Sequence, residues 1–477
     1  HEVQEEWFEN LLHTAKDTEW GLKYGYESIN TFEEFRQRVP LNDYEALKPY
    51  IDRLRAGEDN VLWPTETKWF AKSSGTTSER SKFIPVTNEA LEECHYKCGK
   101  DMLAMYCDNY PDTQIFMGKA LGLGGSYTSD NSEADTYHGD VSAIIMENLP
   151  FWVQLIRTPD INIALMDEWE EKLDKIAKIT KDENVTNISG VPSWTLVLLK
   201  KILDITGMDN IKEVWPNLEV FIHGGISFTP YREQFRKICS PDINYLETYN
   251  ASEGFFGIQD SPERDDMLLM LDYGIYYEFL PASEIGKENG MTIPLSQVEE
   301  GKNYAMVIST NAGLWRYVIG DTVTFTSLNP YRIKITGRTK SFINAFGEEL
   351  IIDNAEKALA VACEKTSAVI NEYTAAPIYL GDKEKAAHEW FIEFERLPNN
   401  MEFFVETLDI NLRTLNSDYD AKRYHDLMLQ KPIVHVVSQG TFYKWLHDKG
   451  KLGGQHKVPR LSNDRKIVEQ ILEIIKK

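Results

Sequence analysis

Residues 218–227 read Leu-Glu-Val-Phe-Ile-His-Gly-Gly-Ile-Ser, a short apolar run that ends in two glycines. The pattern predicts a buried strand from Leu218 to Ile222, followed by a tight loop. A helix is expected from Pro230 to Cys239, and a further strand from Ile243 to Glu247. Strands that alternate with helices are typical of a parallel sheet, and ligands bind such a sheet where its strands end. The stretch therefore predicts an α/β fold with a ligand crevice at the glycine pair.

The same alternation extends along much of the chain. A strand is expected from Val185 to Ser189, and the apolar run from Trp194 to Ile205 predicts a helix after it. Residues 265–310 are rich in strand patterns and indicate an antiparallel or barrel-like part of the same large domain. The predicted fold class is therefore α/β, with mixed and parallel sheets, a β-barrel-like part and a small C-terminal α+β domain.

A polar turn at residues 337–340 is where we place the domain boundary. It divides the chain into a large domain, 1–338, and a small domain, 339–477. Further expectations are a helix start at Asn30 or Thr31, a helix that carries Cys94 to Tyr106, a strand from Thr113 to Met117, a flexible turn at 118–126, a charged helix from Asp167 to Lys181, helices near 353–365, 400–413 and 418–429, and strands near 368–380 and 433–437.

Composition excludes several classes of protein. The 477 residues are 42% hydrophobic, which is enough for a large packed core, so intrinsic disorder is excluded. A formal net charge of −24 disfavours nucleic acid as the principal partner. No apolar run is long enough to span a membrane, and the first residues do not form a signal peptide. Five cysteines, an odd and sparse set, fit a reducing compartment, and we expect a cytoplasmic protein.

A second stretch, residues 72–86, reads Lys-Ser-Ser-Gly-Thr-Thr-Ser-Glu-Arg-Ser-Lys-Phe-Ile-Pro-Val. Small side chains allow backbone N–H groups and hydroxyls to surround an anion, and Lys82 would add a positive charge. The glycine spacing differs from that of the common phosphate loop of nucleotide hydrolases. Taken alone, the stretch is more consistent with a polar hairpin turn.

Four short motifs follow one another along the chain, each at a predicted strand end or loop. They are the Ser/Thr/Gly loop at 73–78, Tyr-x-x-Ser-Glu-Gly at 249–254, Tyr-x-x-Gly-Asp at 317–321 and Gly-Arg-x-Lys at 337–340. In this order and spacing they resemble the adenylate-forming superfamily, which includes acyl-CoA synthetases and luciferases. The longer stretches Tyr-Asn-Ala-Ser-Glu-Gly-Phe-Phe-Gly, Leu-Trp-Arg-Tyr-Val-Ile-Gly-Asp and Gly-Gly-Gln-His-Lys-Val-Pro-Arg resemble the plant auxin-responsive acyl acid–amido synthetase family, and more closely its bacterial members. The resemblance covers nearly the whole chain.

This resemblance implies ATP and Mg²⁺ as cofactors. The loop would hold the β- and γ-phosphates of ATP, with Lys82 nearby, through Ser73, Ser74, Gly75, Thr76, Thr77 and Ser78. Glu253 would hold Mg²⁺, a hard cation that prefers carboxylate and phosphate oxygens, and Ser252 would face the phosphate. The adenine slot would be formed by Gly224, Gly225, Tyr249 and Asn250. Asp321 would accept both ribose hydroxyls, and Arg338 is expected to join the nucleotide-binding set.

The resemblance also implies a small domain that rotates over the active site. Lys340 matches the superfamily's hinge position. Lys457 is the candidate for the lysine that domain closure delivers to the reacting phosphate, and Lys451 is the alternative for that role. Arg316 is interpreted either as a core cation paired with an acid or as an active-site charge. The catalytic set is therefore Lys457, Lys451 and Glu253.

The function implied is that of an ATP-dependent acyl acid–amido synthetase. A small carboxylic acid and Mg·ATP give an acyl-adenylate and pyrophosphate, and an amino-acid amine then takes the acyl group and releases AMP. The acid pocket is expected beside Gly124, Gly125 and Ser126 and the helix around Trp194. The alternatives are an acyl-CoA ligase of the same superfamily, a non-catalytic binding protein, and a kinase-like enzyme that would release ADP. The partners are small substrates, with neither nucleic acid nor membrane, and the sequence leaves the oligomeric state open.

Overall fold

The computed structural model describes residues 1–74, 81–131, 134–225, 228, 232–281, 284–285, 287, 290–338, 342–343, 348, 350–380, 385–424, 428–448, 458 and 460–475. The chain forms two compact units. The first comprises residues 1–73 and 82–339, and the second comprises residues 74–81 and 340–477. The sequence predicts a boundary between residues 338 and 339, with the two domains moving as separate bodies. This boundary stays a prediction.

Four helices of the first unit begin at a short polar side chain that accepts from their first turn: Thr18, Thr31, Asp43 and Asn210. Thr31 and Glu34 form a reciprocal capping box at the start of α3, which confirms the helix start predicted there. The helices are α1 (Glu2–Ala15), α2 (Glu19–Tyr24), α3 (Phe32–Arg38), α4 (Tyr44–Arg55), α5 (Lys97–Asn109), α6 (Val141–Glu147), α7 (Ile161–Ala164), α8 (Trp169–Thr180), α9 (Pro192–Thr206), α10 (Ile211–Val214) and α11 (Arg232–Ile238). A π-helical segment, Ala90–Tyr96, leads directly into α5.

The strands carry β-branched and aromatic residues and pair into two sheets. They are β1 (Trp69–Ser74), β2 (Ser81–Val86), β3 (Lys119–Gly122), β4 (Tyr127–Asn131), β5 (Thr136–Gly139), β6 (Arg157–Thr158), β7 (Val185–Gly190), β8 (Val220–Gly224), β9 (Asn244–Ala251), β10 (Gly254–Ile258), β11 (Met267–Leu269), β12 (Ile275–Pro281), β13 (Ile293–Pro294), β14 (Asn303–Thr310), β15 (Tyr317–Leu328) and β16 (Tyr331–Arg338). The smaller sheet has the order β2-β1-β5-β4.

The larger sheet has twelve strands in the order β13-β12-β14-β15-β16-β11-β10-β9-β8-β7-β3-β6. Strands β6, β3, β7, β8 and β9 run parallel to one another. From β9 onward through β10, β11, β16, β15, β14, β12 and β13 the pairing is antiparallel. The residues expected in an antiparallel or barrel-like part therefore continue the parallel sheet, and β9 is the strand at which the pairing changes.

The core of the first unit is apolar and aromatic. It joins the N-terminal helices to the antiparallel half of the sheet through residues such as Phe35 and Trp315. The segment before β15 is fixed by Asn42, whose side chain donates to the Trp315 carbonyl at 2.6 Å and whose backbone bonds to Arg316 and Val318. Because these groups are buried, each unmade bond would cost free energy, so the contacts define the path of the chain there.

The second unit is a small α+β body. Its elements are β17 (Phe342–Ile343), β18 (Leu350–Ile351), α12 (Ile352–Thr366), β19 (Val369–Leu380), β20 (Lys385–Arg396), α13 (Met401–Leu415), α14 (Ser417–Arg423), β21 (Ile433–Val437), α15 (Thr441–Asp448) and α16 (Lys466–Ile475). The strands form a β17-β18 pair and a sheet of order β19-β20-β21. Behind the sheet, Asp409 accepts hydrogen bonds from Tyr419 and Arg423, all three being buried.

The predicted α/β class with a smaller C-terminal α+β part is confirmed. The strand expected from Thr113 to Met117 is wrong, because Ile115–Met117 is a 3₁₀ turn and β3 begins at Lys119. The Glu219 carboxylate accepts from the Thr113 hydroxyl and the Gln114 N–H, and the Ile115 carbonyl accepts from Thr186. These side-chain bonds take the backbone groups that a strand ladder would need.

Strand β20 was not predicted, although apolar residues recur on one of its faces at Ala386, Trp390, Ile392 and Phe394. Among the helices in the described residues, no helix is long and apolar enough to cross a membrane.

Candidate active site

The glycine-rich loops of the first unit meet at one edge of the large sheet. Strands β3, β7, β8 and β9 are parallel, so their carboxyl ends lie on the same side. The ends carry Gly122, Gly190 and Gly224, and the end of β9 carries Tyr249 to Ala251. This edge is where an open α/β sheet offers space for a ligand.

Gly224 allows the closest approach of two backbones at this edge. A Cβ at Gly224 would lie 2.6 Å from the Thr248 carbonyl oxygen and 2.9 Å from Asn250 Oδ1, so no side chain fits there. The next residue, Gly225, has a φ of +80°, which L-residues with side chains rarely adopt. At these two glycines, backbone without side chains therefore lies next to Asn250. A flat ligand ring needs such a close approach to the backbone.

A buried carboxylate contacts the side chain of Tyr249 near the end of β9. The Tyr249 hydroxyl donates to Asp321 Oδ2 at 2.7 Å, and both side chains are largely shielded from water. Asp321 on β15 is the register partner of Arg338 at the end of β16. The structure thus brings together Asp321, Tyr249 and the backbone of Arg338, while the side chain of Arg338 lies outside the described residues.

Ser252 and Glu253 form the two-residue turn between β9 and β10. They line a small recess together with Val86 on β2 and His95 on the π-helical segment. Burial lowers the pKa of His95 to about 4, so this wall of the recess is uncharged at neutral pH. The Glu253 carboxylate is close enough to add to burial in raising the pKa of Tyr317. Glu253 therefore brings negative charge to a site whose other described walls are mostly neutral.

The glycine loop after β3 is held by a lysine. Lys172 on α8 donates to the carbonyl oxygens of Gly124 at 2.6 Å and Gly125 at 3.0 Å, and its side chain is buried. Burial lowers the pKa of Lys172 to about 8. On the other side of the loop, Asp140 Oδ2 accepts from the Ser126 N–H at 3.1 Å. Hydrogen bonds to Lys172 and Asp140 thus hold the Gly124–Gly125 pair and the residue after it, within the segment predicted as a flexible turn.

Helix α9 begins next to this loop. The Leu123 N–H donates to the Ser189 carbonyl at 3.1 Å, and Gly190 packs against Leu123. Pro192 stands at the first position of α9, and Trp194 follows within its first turn. The loop at Gly124 and the start of α9 are therefore neighbours, and an acid pocket between them stays a prediction.

Arg316 belongs to the core and not to this edge. Its Nε donates to Glu278 Oε2 at 2.8 Å, and its other nitrogens donate to the Val39 carbonyl and to the Thr292 hydroxyl. Both partners of the ion pair are almost completely buried. Of the two interpretations of Arg316, the core cation paired with an acid is confirmed.

Several predicted site residues lie outside the described residues. They are Gly75, Thr76, Thr77, Ser78, Lys340, Lys451 and Lys457. Ser73 and the backbone of Ser74 lie at the end of β1, and Lys82 lies near the start of β2. The roles of these residues remain predictions.

Sequence reasoning missed Lys172 as a residue of the site. It lies in a helix that reads as charged and exposed, with Lys175 and Lys178 at similar positions. A weak signal was available, because Lys172 lies four positions before the apolar Ile176 and so on the same side of the helix. Sequence spacing alone does not distinguish a buried lysine from its exposed neighbours.

The donor set fits a nucleotide with a bound divalent cation. Asp321 is a buried carboxylate suited to hydroxyl groups, and the space beside Gly225, where a Cβ would have only Val191 of the described residues within 4 Å, leaves room for a flat ring. Within the described ranges, no cluster of three acidic, histidine or cysteine side chains could hold a metal by itself. A single carboxylate such as Glu253 fits Mg²⁺ that is otherwise bound by phosphate oxygens and water.

Comparison with known proteins gives three family matches in chain order. The GH3 family N-terminal domain matches residues 1–243, the central domain matches residues 268–338, and the C-terminal domain matches residues 353–466. Among curated relatives, the indole-3-acetic acid-amido synthetase GH3.3 of Arabidopsis thaliana is 24% identical, over 98% of this chain and 90% of the relative. The 4-substituted benzoates-glutamate ligase GH3.12 of the same plant is 23% identical, over 99% and 94%.

Solved structures agree on the fold. The GH3.15 acyl acid amido synthetase superimposes with a TM-score of 0.62 at 17% identity, covering 100% of this chain and 93% of that one. A 2-hydroxyisobutyryl-CoA ligase bound to an acyl-AMP and CoA gives 0.58 at 12% identity, covering 100% and 92%. The fold is therefore that of adenylate-forming ligases, and the resemblance inferred from the four motifs is confirmed: the chain belongs to the GH3 family.

Proposed function

We propose that this protein is an ATP-dependent acyl acid–amido synthetase. In the first step a carboxylate oxygen of a small acid attacks the α-phosphorus of ATP, and pyrophosphate leaves. In the second step the amine of an amino acid attacks the activated carbonyl carbon, the bond to AMP breaks, and a proton is released from the nitrogen. Adenylation is needed because a free carboxylate is a poor electrophile.

The match of all three GH3 domains in chain order carries this proposal. The described edge of the sheet supports it, because the polar groups that meet there suit a nucleotide. Asp321 would accept from the ribose hydroxyls, and Tyr249 would orient Asp321 through the 2.7 Å hydrogen bond. Gly224, Gly225 and Asn250 would line the adenine. Arg338, as register partner of Asp321, would bind the same end of the nucleotide.

Mg²⁺ is the proposed metal, and Glu253 its proposed protein ligand. When bound, Mg²⁺ neutralises phosphate charge. Glu253 stands on a tight turn with Ser252, a position from which a carboxylate and a hydroxyl can reach phosphate-bound groups together. The loop 73–78 and Lys82 would contact the remaining phosphate oxygens, and Lys457 or Lys451 would supply the cation for the reacting phosphate.

The acid would lie between the loop at Gly124 and the start of α9. Relatives named above act on indole-3-acetic acid and on 4-substituted benzoates, which are carboxylic acids attached to flat rings. Trp194 and Leu123 offer apolar surface of the matching kind. We infer a small acid with an apolar body, and an amino acid as acceptor. All five cysteines are free thiols, which supports a cytoplasmic location.

The test is a product analysis. The protein is incubated with Mg·ATP and a panel of aryl and aliphatic acids, without acceptor, with pooled amino acids, or with CoA, and AMP, ADP and pyrophosphate are resolved. AMP and pyrophosphate that rise on addition of amino acids, with an amide product, would support the proposal. ADP as the nucleotide product would contradict it, and a thioester formed only with CoA would favour the acyl-CoA ligase.

Two variants connect the activity to the described edge. Asp321→Ala should lower kcat/KM for ATP about 100-fold, because two hydroxyls of the ribose lose a charged acceptor. Glu253→Gln should raise the Mg²⁺ concentration needed for half-maximal rate about 10-fold. Glu299→Gln is a matched control, since Glu299 is an exposed partner of Lys302. Equal Mg²⁺ dependence in both glutamine variants would remove Glu253 from the proposed metal site.

A further inference from the structure

An uncharged apolar patch lies on the surface of the first unit. Its side chains are between 42% and 81% exposed, although apolar residues of this size are usually buried. We call it the β6 patch, and its residues are Phe116, Met117, Phe151, Trp152, Leu155 and Ile156. Single exposed apolar residues are common, but a contiguous group of this size marks an interaction site.

The β6 patch is contiguous because its two segments are joined by hydrogen bonds. The Lys119 ammonium donates to the Leu155 carbonyl at 2.6 Å, and the Ala120 N–H donates to the Ile156 carbonyl at 2.9 Å. The 3₁₀ turn Phe151–Leu155 leads into β6, which is the last strand of the large sheet. The patch therefore lies at a sheet edge, where backbone groups are open to further pairing.

The β6 patch and the glycine pair at the end of β8 lie at different ends of the parallel strands. Both of its segments precede the strands they adjoin: Met117 precedes β3, and Ile156 precedes β6. They therefore lie at the amino ends of the parallel strands. The predicted nucleotide residues lie at the carboxyl ends, so a partner that covers the β6 patch leaves that edge of the first unit accessible.

Area and charge both favour a second copy of the chain. With three aromatic side chains among its six, the patch exposes on the order of 700 Å², close to the roughly 800 Å² per partner of a stable interface. The segments 115–117 and 150–156 contain no charged residue. In a chain of net charge −24, two copies repel each other over most of their surfaces, so an uncharged patch is where they can approach.

We propose that the β6 patch is the interface of a two-fold symmetric homodimer. Such an interface is self-complementary, and each patch covers its counterpart on the partner. Trp152 and Phe151 would be the principal contacts, since large aromatic side chains dominate the free energy of most interfaces. An anionic membrane surface is the less favoured occupant, because the chain is strongly acidic and Lys119 is the one cation hydrogen-bonded to the described residues of the patch.

The test is sedimentation velocity on the full chain across a concentration series from about 0.1 to 100 µM, a range that spans typical dimer affinities. A species of twice the 54.9 kDa chain mass is expected. Trp152→Glu should weaken dimerisation at least 30-fold, since the dimer would bury two carboxylates next to apolar side chains. Leu22→Glu is the matched control: Leu22 is 68% exposed and lies apart from the patch in the sequence.

Two further readouts keep the outcome unambiguous. Circular dichroism and thermal unfolding should be unchanged in Trp152→Glu, because the side chain is exposed in the single copy. AMP formation per chain should also remain, because the nucleotide residues are proposed at the carboxyl ends of the parallel strands and the patch lies at their amino ends. The proposal would be overturned by a monomer at every concentration, by a dimer that Trp152→Glu leaves intact, or by binding of the wild-type monomer to vesicles that contain phosphatidylserine. None of these results depends on whether the proposed reaction is correct.

Discussion

The hydrogen bond between Tyr249 and Asp321 is the most specific contact of the candidate site. Two residues 72 positions apart place a phenol hydroxyl 2.7 Å from a carboxylate oxygen that water scarcely reaches. A hydrogen bond to a charged acceptor contributes about 1.5–3 kcal/mol when it orients that acceptor. Asp321 therefore depends on Tyr249 for its orientation.

Tyr249→Phe should raise KM for ATP about 10-fold, because Asp321 loses one donor while the core keeps its ring. Steady-state kinetics with ATP as the varied substrate measures the change. Tyr277→Phe is the control, since Tyr277 is equally buried and its hydroxyl has no hydrogen-bond partner among the described residues. A KM for ATP within twofold of wild type in both variants would show that the contact does not serve nucleotide binding.

Arg316 presents the opposite case, a motif residue whose contacts are those of the core. Replacing Arg316 with Met would leave the Glu278 carboxylate buried without its ion-pair partner. Removing one member of a buried pair costs about 3–5 kcal/mol of unfolding free energy. Urea unfolding of Arg316→Met measures this loss. Arg53→Met removes an exposed arginine that pairs with Glu19 and Glu58, and it should change stability little. Equal stability of the two variants would contradict the structural role.

At the scale of elements, helix α8 fixes the glycine loop after β3. A loop that contains Gly124 and Gly125 has high backbone freedom in isolation, and Lys172 reduces it by binding two successive carbonyls. The order of the loop is thus supplied by a helix nearly 50 residues further along the chain. If the acid binds here, its affinity depends on that helix.

Lys172→Met should raise KM for the acid about 10-fold and leave KM for ATP within twofold, because only the loop at Gly124 loses its donor. In the wild type, KM for the acid should also rise above about pH 8, where Lys172 loses its charge, and the variant should lack this rise. Lys175→Met, one turn away from Lys172 in an exposed pair with Glu171, is the control. Equal changes in both KM values would point to a general loss of structure.

At the scale of the whole molecule, two buried histidines make stability depend on pH. Burial lowers the pKa of His95 to about 4 and that of His223 to about 3. In the unfolded chain a histidine takes up a proton near pH 6.5, which the folded form resists. The unfolded state therefore binds more protons below pH 6.5, and the unfolding free energy falls as the pH is lowered toward the folded pKa values.

Between pH 7 and pH 5 each histidine should cost about 2 kcal/mol, so about 4 kcal/mol is expected from the pair. The raised pKa of the buried Glu247 carboxyl acts in the opposite direction. Urea unfolding at the two pH values measures the loss. His95→Gln should remove about half of it, whereas substitution of the exposed His13 should leave it unchanged. A pH dependence identical in wild type and His95→Gln would exclude His95 as its source.

Much of the fold followed from local patterns. The apolar run that ends at Gly224 and the capping residues Thr31 and Glu34 act within a few positions of each other, so their structures could be predicted from the sequence. The strand expected from Thr113 to Met117 was wrong because Glu219, far along the chain, takes its backbone groups. β20 was missed although its pattern is local.

The sequence by itself determined the family, the order of the motifs and the residue types at the sheet edge. Only the tertiary structure decided which charged residues are buried and what they contact. Arg316 could not be assigned from its motif because Glu278 lies 38 positions away. Lys172 could not be separated from Lys175 because both lie on one charged helix. The physical reason is that burial and ion pairing depend on elements distant in the sequence, whereas strands, caps and motifs depend on neighbouring residues.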